Sequence, residues 1–356
     1  MPGEGRLLTL PAMRTTELGN SGEQVSALAL GAMGMGTRAD DATSFATLDA
    51  YAEDGGGFVD TADGYAWFYA QGTDGGQSEE LLGRWLRRTG RRDDVFLATK
   101  GAGMVANPRD VYPDGAQSPD WSKAVFVGAG AHTLRAALEG SLRRLGVEHV
   151  DLYYVHVDDP STPLEETLGA LAAFVTEGKI RHIGWSNVSS DRLEAIRAAA
   201  QQNGLPQPVA VQQQHTYLDP TPGRGFPGAD EGQLDYLRGR PDLTLVAYSP
   251  LLKGLYDEPA ERREQLLAEG RSDGGQAMDE LVALDAVATE TGATPGQVVL
   301  AWMTARRSPS TIPLIGTTRV DRYRQAAAAL DLTLTPAQLT RLDAPRVLES
   351  SFPPPP

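Results

Sequence analysis

The 356-residue sequence contains no cysteine. Disulfide bonds, thiolate metal sites and a cysteine nucleophile are therefore excluded, and nothing in the chain requires an oxidising compartment. A chain of this length can form one large barrel or two ordinary domains. Its hydrophobic share of 41% is typical of a globular protein with a sizeable core.

Basic residues are scarce relative to acidic ones, because 32 Lys and Arg against 47 Asp and Glu give a net charge of −15. This excess repels polyanions, so no nucleic acid and no anionic membrane surface is expected as a main partner. Long apolar runs are also missing: no stretch approaches the roughly 20 apolar residues of a membrane span, and residues 1–30 contain no signal-peptide h-region. We therefore expect a cytoplasmic protein.

The sequence does contain a regular alternation of short apolar, β-branched runs with amphipathic stretches of helical period, which predicts βα units and a parallel sheet. The predicted strands are 27–30, 57–61, 95–99, 150–155, 180–184, 209–212, 243–248 and 311–314. The predicted helices are 43–53, 78–88, 132–145, 163–177, 189–200, 231–237, 277–305 and 319–330. Eight such pairs without a linker-like tract between them predict a single (β/α)8 TIM barrel of the α/β class.

The two ends of the chain are predicted to add to this barrel. The stretch "RTTELGNSGEQVSALALG" predicts an N-terminal β-hairpin that turns at Gly19 and Asn20. The barrel core is predicted over about 14–342, and 343–356 as an extended C-terminal arm, because its final "FPPPP" cannot continue a helix. Residues 1–356 are thus predicted to form one domain with long loops at the carboxyl face.

Three consecutive predicted strands lead into residues that can carry chemistry. The stretch "FVDTADGY" contains Asp60 and Tyr65, "VFLATK" ends in Lys100, and "DLYYVH" ends in His156. The carboxyl ends of barrel strands meet at one face, so these four side chains are predicted to converge. A phenol with a pKa of about 10 is a poor acid at neutral pH, but a neighbouring ammonium stabilises phenolate and lowers that pKa. Lys100 would do this for Tyr65, with Asp60 holding the lysine charged and His156 orienting a carbonyl oxygen or relaying a proton.

These four residues match the Asp-Tyr-Lys-His tetrad of the aldo-keto reductases, a family that the chain resembles over about 14–342. That family folds as a (β/α)8 barrel and binds NADPH across the carboxyl face without a Rossmann domain. The resemblance implies a catalytic tetrad of Asp60, Tyr65, Lys100 and His156. It also implies NADPH-dependent reduction of an aldehyde or ketone to the alcohol, with Tyr65 as proton donor.

The cofactor segments of the family match in the same order along the chain. By this resemblance, Ser186 and Asn187 of "IGWSN" and Gln212 of "AVQ" bind the nicotinamide carboxamide, to which short polar side chains are suited. Tyr248 of "AYSPLLKG" stacks under nicotinamide. The other residues that the resemblance assigns to the cofactor are Gly31, Met33, Ser249, Leu251, Lys253, Gly254, Gly316, Thr317, Thr318, Arg322 and Gln325. The segment "IPLIGTTRVDRYRQA" resembles the part that grips the adenosine 2′-phosphate, which implies NADPH rather than NADH.

Three features depart from the family's pattern. The segment around His156 reads "VHVDDP" where a basic or aromatic residue often precedes Pro-Asp, which would reshape the pocket wall. Ala326 replaces an asparagine that contacts adenine, and Gln325 would take over that contact. His215 stands where a tyrosine is common, and we interpret it as a wall or network residue of the substrate pocket rather than a second catalyst.

Two long loops are predicted to leave the barrel beside the reacting carbonyl. One carries Trp67, Phe68 and Tyr69 in a glycine-rich run, and the other, 101–130, carries Trp121. Aromatic rings offer flat apolar area, so these loops predict a roomy pocket for a cyclic, sugar-like or polyketide-like substrate. The alternative is that the rings only pin the first loop onto the barrel.

Other functions stay open from the sequence: a nicotinamide-binding sensor or regulatory subunit, and a cofactor-retaining sugar epimerase or dehydratase. A metal-dependent hydrolase or lyase that uses His156, Asp158 and Asp159 is disfavoured, because this ligand set is weak and Lys100 would compete. No metal is therefore expected. The substrate, the physiological direction, the strength of the preference for NADPH over NADH and the oligomeric state are not determined.

Overall fold

The computed structural model describes residues 13–65, 75–113, 119–218, 228–270, 274–306 and 308–347. No helix within these ranges combines the length and the apolar character that crossing a membrane requires.

The chain begins with the predicted hairpin. Strands β1 (Thr15–Glu17) and β2 (Gln24–Ser26) pair antiparallel, with Thr16 opposite Val25. Gly19 lies in the turn between them with a φ of 55°, in the left-handed region that glycine enters without steric cost.

Eight parallel strands then form a closed barrel, as the sequence pattern predicts. They are β3 (Ala29–Gly31), β4 (Phe58–Asp60), β5 (Phe96–Gly101), β6 (Val150–Val155), β7 (Ile180–Ser186), β8 (Pro208–Gln214), β9 (Thr244–Tyr248) and β10 (Thr311–Ile315). Neighbours in the barrel follow chain order, and β10 closes it by pairing with β3 and β9. The eight predicted strands and the TIM-barrel fold class are confirmed.

The hairpin packs against the amino ends of the barrel strands. The Gly19 N–H donates to Thr244 Oγ1 at 2.7 Å. A Cβ on Gly19 would lie 2.5 Å from the carbonyl oxygens of both Val209 and Asp242, so only glycine fits at this point. Leu18 is buried in the apolar cluster inside the barrel. The hairpin therefore closes the end of the barrel opposite to the carboxyl face.

Helices surround the barrel. They are α1 (Asp41–Glu53), α2 (Gln77–Thr89), α3 (Pro108–Val111), α4 (Ala131–Leu145), α5 (Leu164–Thr176), α6 (Ser190–Gln202), α7 (Glu231–Arg238), α8 (Ala260–Gly270), α9 (Gly274–Thr291), α10 (Pro295–Ala305), α11 (Val320–Ala327) and α12 (Pro336–Val347). In α4, for example, Leu134, Leu138 and Leu145 recur at helical spacing and are fully buried. Such helix faces cover the outward side chains of the strands in one continuous apolar cluster.

The predicted single helix 277–305 is wrong, because two helices occupy this stretch. Gly292, at a φ of 68°, follows the end of α9. Thr294 then starts α10 through a capping box, in which its hydroxyl and the Gln297 side chain each bond the other residue's backbone N–H. Thr291, the last residue of α9, bonds its hydroxyl back to the carbonyl of Val287.

The C-terminal prediction is also corrected. The sequence pattern does not predict α3, α8 or α12, and α12 runs to Val347. Residues 343–347 are therefore helical, although the extended arm was predicted from 343. The remainder of the predicted arm, 348–356, lies outside the described residues.

Candidate active site

Side chains two positions apart on a β-strand lie on the same face, and the predicted site residues lie on the face that points into the barrel. An inward-facing apolar layer fills the barrel, and site residues follow it two positions later on six strands or strand ends. The pairs are Ala29 and Gly31, Phe58 and Asp60, Ala98 and Lys100, Tyr154 and His156, Ala210 and Gln212, and Val246 and Tyr248. These site residues therefore gather at the carboxyl face, directly above the apolar layer.

Lys100 lies at the centre of the site. It is 0% exposed and forms an ion pair with Asp60. Its Nζ also donates to the Thr61 carbonyl at 2.8 Å and to Tyr65 Oη at 3.0 Å. The three hydrogens of the ammonium group thus have three acceptors, and one of them is the phenol.

Burial and charge have opposite effects on this ion pair. Burial lowers the pKa of Lys100, and the Asp60 carboxylate limits the decrease. Burial likewise raises the pKa of Asp60, and Lys100 limits the rise. A lysine of lowered pKa is a stronger acid than an exposed one, so a proton can pass more readily between Lys100 and the adjoining Tyr65 phenol.

His156 lies edge-on to Tyr65, with ring centroids 5.5 Å apart and an angle of 80° between the rings. Burial, assisted by the charge of Lys100, lowers the pKa of His156 well below its usual range. The imidazole is therefore neutral near pH 7 and offers one donor and one acceptor nitrogen. Gly103 makes room for it, because a Cβ there would lie 2.3 Å from His156 Nδ1.

Asn187 connects three other predicted site residues. Its Nδ2 donates to the His156 carbonyl at 2.9 Å and to Ser186 Oγ at 3.1 Å. Its Oδ1 accepts from Tyr248 Oη at 2.9 Å. Asn187 has a φ of 54°, a region that asparagine tolerates better than most residues. Ser186, Asn187 and Tyr248 are thus brought together at the edge of the tetrad.

Gln212 is bonded directly to the tetrad. Its Nε2 donates to Asp60 Oδ2 at 2.9 Å. Its backbone carbonyl accepts from the Asn187 N–H at 3.3 Å. Gln212 therefore links the Lys100 ion pair to the residues around Asn187.

The loop after β9 has a strained backbone. Ser249, Leu252 and Lys253 have φ values of 55°, 44° and 60°, and Gly254 follows at 94°. Leu251 lies within this run. Non-glycine residues rarely adopt positive φ, and such residues cluster at ligand clamps, where the surrounding structure maintains the strain.

The loop after β10 carries the next predicted cofactor residues. Gly316 is exposed, with open space where a Cβ would lie, and Thr317 and Thr318 follow it toward α11. Arg322 is exposed in the first turn of that helix, and its Nη1 donates to Gln325 Oε1 at 3.3 Å. A hydroxyl pair, a helix N-terminus and a guanidinium are therefore close in the chain.

Gln325 joins the two loops. Its Nε2 donates to Asp257 Oδ2 at 3.1 Å and approaches Thr294 Oγ1 at 3.4 Å. Asp257 ends the 3-10 helix that continues the loop after β9. The predicted contact of Gln325 with adenine stays a prediction.

Gly31 and Met33 lie at the end of β3 and just after it, and β3 is the neighbour of β10 on the side away from β9. Gly31 is the buried last residue of β3, and Met33 is 37% exposed. At Gly34, a Cβ would lie 3.7 Å from Thr318 Cγ2. The segment after β3 is therefore adjacent to the loop after β10.

The predicted substrate residues have mixed outcomes. Trp67 and Phe68, like Tyr69, lie outside the described residues, so their role stays a prediction. Trp121 lies in a short 3-10 helix of the loop after β5 and is 42% exposed. That loop folds back on itself through a bridge between Val105 and Phe126.

His215, predicted as a wall or network residue, is buried just after β8. Its ring is 5.9 Å from that of Trp302, at an angle of 31°. The backbone N–H of His215 donates to the Tyr248 carbonyl at 3.3 Å. Trp302 is a neighbour that the sequence pattern does not identify, because it lies on α10, far along the chain.

A cavity of about 390 Å³ lies between the loops that follow β5 and β6. Its lining includes Phe126, Val127 and Val157, the residue after His156. It also includes Asp158 and Asp159, the two acids of the metal alternative.

Both acids are engaged by protein groups. Asp158 accepts from Arg192 Nε at 3.0 Å. Asp159 accepts from the Ala129 N–H at 2.9 Å and from Thr162 Oγ1 at 2.6 Å. Asp159 therefore connects the loops after β5 and β6, and Asp158 connects the loop after β6 to α6.

A second group of charged residues lies behind the tetrad, and the sequence pattern does not assign it. Asp63 and Glu79 are buried, and Arg144 Nε donates to Glu79 Oε2 at 2.7 Å. Burial, together with the charge of Glu79, raises the pKa of Asp63 to about 7. The sequence does contain one feature that could have identified this group. Glu79 shares the helical spacing of Leu82 and Leu86, which places an acid on the apolar face of α2.

Comparisons with known proteins agree with this geometry. A model of the Aldo/keto reductase family matches residues 27–346. The chain is 31% identical to "Aldo-keto reductase yakc [NADP(+)]" of Schizosaccharomyces pombe, over 96% of this chain and 94% of that protein. It is 28% identical to norsolorinic acid reductase A of Aspergillus parasiticus, over 94% of this chain and 81% of that protein. A crystal structure of the thermostable aldo-keto reductase Tm1743 with the inhibitor epalrestat aligns with a TM-score of 0.70 and 28% identity, covering 94% of this chain and all of that one.

Proposed function

Because the chain belongs to the aldo/keto reductase family, whose members are oxidoreductases that use nicotinamide cofactors on small carbonyl compounds, we propose that it reduces an aldehyde or ketone with NADPH, with Tyr65 as the proton donor. The observation that supports this most directly is the position of Lys100, whose Nζ bonds both the Asp60 carboxylate and, at 3.0 Å, the Tyr65 phenol. That arrangement stabilises the phenolate left after proton transfer.

The chain's own residues divide the work of the reaction. Tyr65 donates its proton to the carbonyl oxygen, and Lys100 stabilises the resulting phenolate. Neutral His156 binds the same oxygen and orients it. Asp60 holds Lys100 in place and offsets part of the effect of burial on its charge. When bound, the reduced nicotinamide would supply the hydride.

The residues around the tetrad suit a nicotinamide dinucleotide. Gln212 Nε2 donates to Asp60, so the side-chain oxygen Oε1 of Gln212 is the atom suited to accept a hydrogen bond from a carboxamide. Ser186 and Asn187 would hold the same amide, with Tyr248 beneath the ring. These four polar or aromatic side chains occupy adjoining strand ends.

The rest of the cofactor would lie along the loops after β9 and β10. The strained run at Ser249, Leu252 and Lys253 is typical of a ligand clamp and would hold the pyrophosphate. Thr317 and Arg322 would bind the 2′-phosphate of NADPH, for which a guanidinium and a helix N-terminus are suitable partners. A protein of net charge −15 needs such local cations to hold a phosphate.

We further propose a cyclic, polyketide-like or sugar-like substrate. Trp121 is partly exposed at the carboxyl face, in a loop whose own apolar cluster includes Val111 and Phe126. We propose that Trp67 and Phe68 contribute further aromatic area to substrate binding.

The proposal is tested by titrating the purified protein with NADPH and with NADH, using fluorescence. Absorbance of the reduced nicotinamide is then followed while aldehydes, aromatic ketones and keto sugars are added singly. We expect tighter binding of NADPH and carbonyl-dependent oxidation. NADPH binding without turnover would favour a sensor role, product formation without NADPH consumption would favour an epimerase or dehydratase, and absence of binding would contradict the proposal.

A further inference from the structure

A partly buried ion pair lies behind Tyr65 and Lys100, and the proposed mechanism does not use it. Glu79 on α2 is 0% exposed. Arg144 on α4 donates from Nε to its Oε2 at 2.7 Å, and Arg144 Nη2 lies 2.7 Å from the same oxygen as an ion pair. The Arg144 side chain is 27% exposed, so the pair joins a fully buried carboxylate to a guanidinium that reaches the surface. An ion pair with a buried member is weak evidence of a stabilising role.

Glu79 contacts the strand that carries Lys100. Thr99, the residue before Lys100, donates from Oγ1 to Glu79 Oε1 at 2.5 Å. Ser78, the residue before Glu79, has its Oγ 2.8 Å from Thr61 Oγ1. Thr61 is also the residue whose carbonyl accepts from Lys100 Nζ. The first turn of α2 is therefore bonded to the residue that precedes Lys100 in the chain and to a residue that accepts from its ammonium group.

Arg144 contacts the segment that carries Tyr65. The Gly76 N–H donates to the Tyr65 carbonyl at 3.1 Å. A Cβ on Gly76 would lie 2.6 Å from Arg144 Cδ, so the glycine backbone packs directly on the arginine side chain. At Gly83 a Cβ would lie 2.3 Å from the Arg144 carbonyl oxygen, which shows how closely α2 and α4 approach. One ion pair thus adjoins both segments of the proton-donating site.

We propose that Glu79 and Arg144 are positioning residues for the reduction. The pair fixes the segment of Tyr65 relative to the strand of Lys100, and its two opposite charges shift, in opposite directions, the pH range over which these two groups keep their protons. This inference rests on the proposed function.

The electrostatic part has support in the charges around Lys100. Burial lowers the pKa of Lys100 most strongly, and the charges of Asp60, Asp63 and Glu79 raise it. The titratable and charged groups around Lys100 and around the Glu79 and Arg144 pair are Asp60, Asp63, Tyr65, Tyr153, Tyr154 and His156. Removing one member of the Glu79 and Arg144 pair leaves the other charge uncompensated, so the two removals act in opposite directions.

The test is the pH dependence of kcat for carbonyl reduction at saturating NADPH, from about pH 6 to about pH 10. Glu79→Gln removes a negative charge and is expected to move the basic limb to lower pH. Arg144→Met removes a positive charge and is expected to move it to higher pH. Each shift should be about half to one pH unit, as for a charge about 10 Å away at an effective dielectric constant of roughly 20 to 40. The expected loss in kcat is at least about tenfold, with KM for NADPH within about twofold of the wild-type value.

A second ion pair, made by another arginine of α4, supplies matched controls. Arg135 on α4 bonds Glu177 at 2.6 Å in a partly exposed ion pair. Arg135→Met and Glu177→Gln are expected to leave the basic limb in place. Arg144→Lys keeps the charge and is expected to restore the limb to its wild-type position.

Melting temperatures and NADPH titrations establish whether each variant is folded. If Arg144→Met does not fold, the shift in Glu79→Gln and its absence in Arg144→Lys decide the question. Lost activity without shifted limbs, or limbs that move in the same direction, would overturn the inference and leave the proposed function intact. If the wild-type protein oxidises NADPH in the presence of none of the carbonyl compounds, the proposed function and this inference are both overturned.

Discussion

Asp60 connects two side chains that have different tasks in the proposed reaction. One carboxylate oxygen pairs with Lys100, and the other accepts from Gln212 at 2.9 Å. With both oxygens engaged, the carboxylate has one orientation, and a displacement of either partner is transmitted to the other. At the scale of single residues, the proposed proton-donating group and the residue proposed to bind the carboxamide are therefore coupled.

The first prediction concerns Tyr65. Tyr65→Phe removes the phenol that bonds Lys100 and is expected to lower kcat for reduction by roughly 10² to 10⁴-fold, the range of general-acid contributions. The ring is retained, so the fluorescence-measured dissociation constant for NADPH should change by less than about threefold.

Tyr236→Phe is the matched control for this measurement. Tyr236 bonds Glu194 at 2.7 Å on the surface, away from the tetrad, and its loss should leave turnover unchanged. Turnover of Tyr65→Phe above about a tenth of the wild-type value would exclude Tyr65 as the acid.

The second prediction concerns Asp63, whose pKa is raised to about 7 by burial and by Glu79. The folded protein thus holds this proton more tightly than the unfolded chain. The stabilisation is complete below the unfolded pKa of about 4 and is lost as the pH rises through about 7. Asp63→Asn stays neutral, so its melting temperature should fall less than that of wild type between about pH 6 and about pH 8.

Glu80→Gln serves as the control for Asp63→Asn, because Glu80 is an exposed acid on the neighbouring helix α2. It should leave the pH dependence of the melting temperature unchanged. Equal pH dependence in wild type and Asp63→Asn would show that Asp63 is already ionised below neutral pH.

At the scale of elements, the break between α9 and α10 depends on local chemistry that apolar periodicity does not capture. Gly292 leaves the right-handed region, and Thr294 and Gln297 form a capping box. This turn also meets the loops proposed to hold the cofactor, because Gln325 approaches Thr294 Oγ1 at 3.4 Å. The helix start is therefore part of the support for the loops after β9 and β10.

The third prediction follows from this cap. Thr294→Ala removes the side-chain acceptor of the α10 N-terminus and is expected to lower the free energy of unfolding by about 1 kcal/mol. The melting temperature should fall by about 1 to 2 °C for a chain of this size. Thr304→Ala, in the same helix, removes a hydroxyl that bonds back to the Leu300 and Ala301 carbonyls of its own helix and should have little effect. Equal destabilisation by both changes would contradict the capping role.

At the scale of the whole molecule, the net charge of −15 is spread over a single closed barrel. Like charges at this density repel one another in the folded state more than in the expanded unfolded chain. Surface ion pairs such as Arg84 with Asp41 offset little of this, since exposed pairs each contribute about 0 to 1 kcal/mol. Folding should therefore be sensitive to screening of the overall charge.

The fourth prediction is that salt stabilises the protein above its isoelectric point. Raising NaCl from about 10 mM to about 300 mM at about pH 8 shortens the Debye length from about 30 Å to about 6 Å and should raise the melting temperature. Near the sequence pI of 4.8 the same change should have little effect. A decrease in melting temperature with salt at pH 8 would mean that ion pairs outweigh the net repulsion.

The sequence by itself determined the barrel, and it predicted that Asp60, Tyr65, Lys100 and His156 converge at one face. Strand and helix periods are local properties, and the closed parallel sheet follows from their eightfold alternation. The position of Asp60, Lys100 and His156 at strand ends follows from the same pattern. The sequence pattern missed α12 and the break in 277–305, because amphipathic periodicity is weak in the first and does not stop at a glycine in the second.

Only the tertiary structure decided how these residues are connected. Gln212 and Asp60 are 152 positions apart in the chain, and Glu79 and Arg144 are 65 apart. No local pattern relates such residues, because their hydrogen bonds depend on which strands and helices become neighbours when the barrel closes. The burial that lowers the pKa of Lys100 and raises that of Asp63 is likewise a property of the packed molecule, since each charge is removed from water only when the surrounding elements assemble.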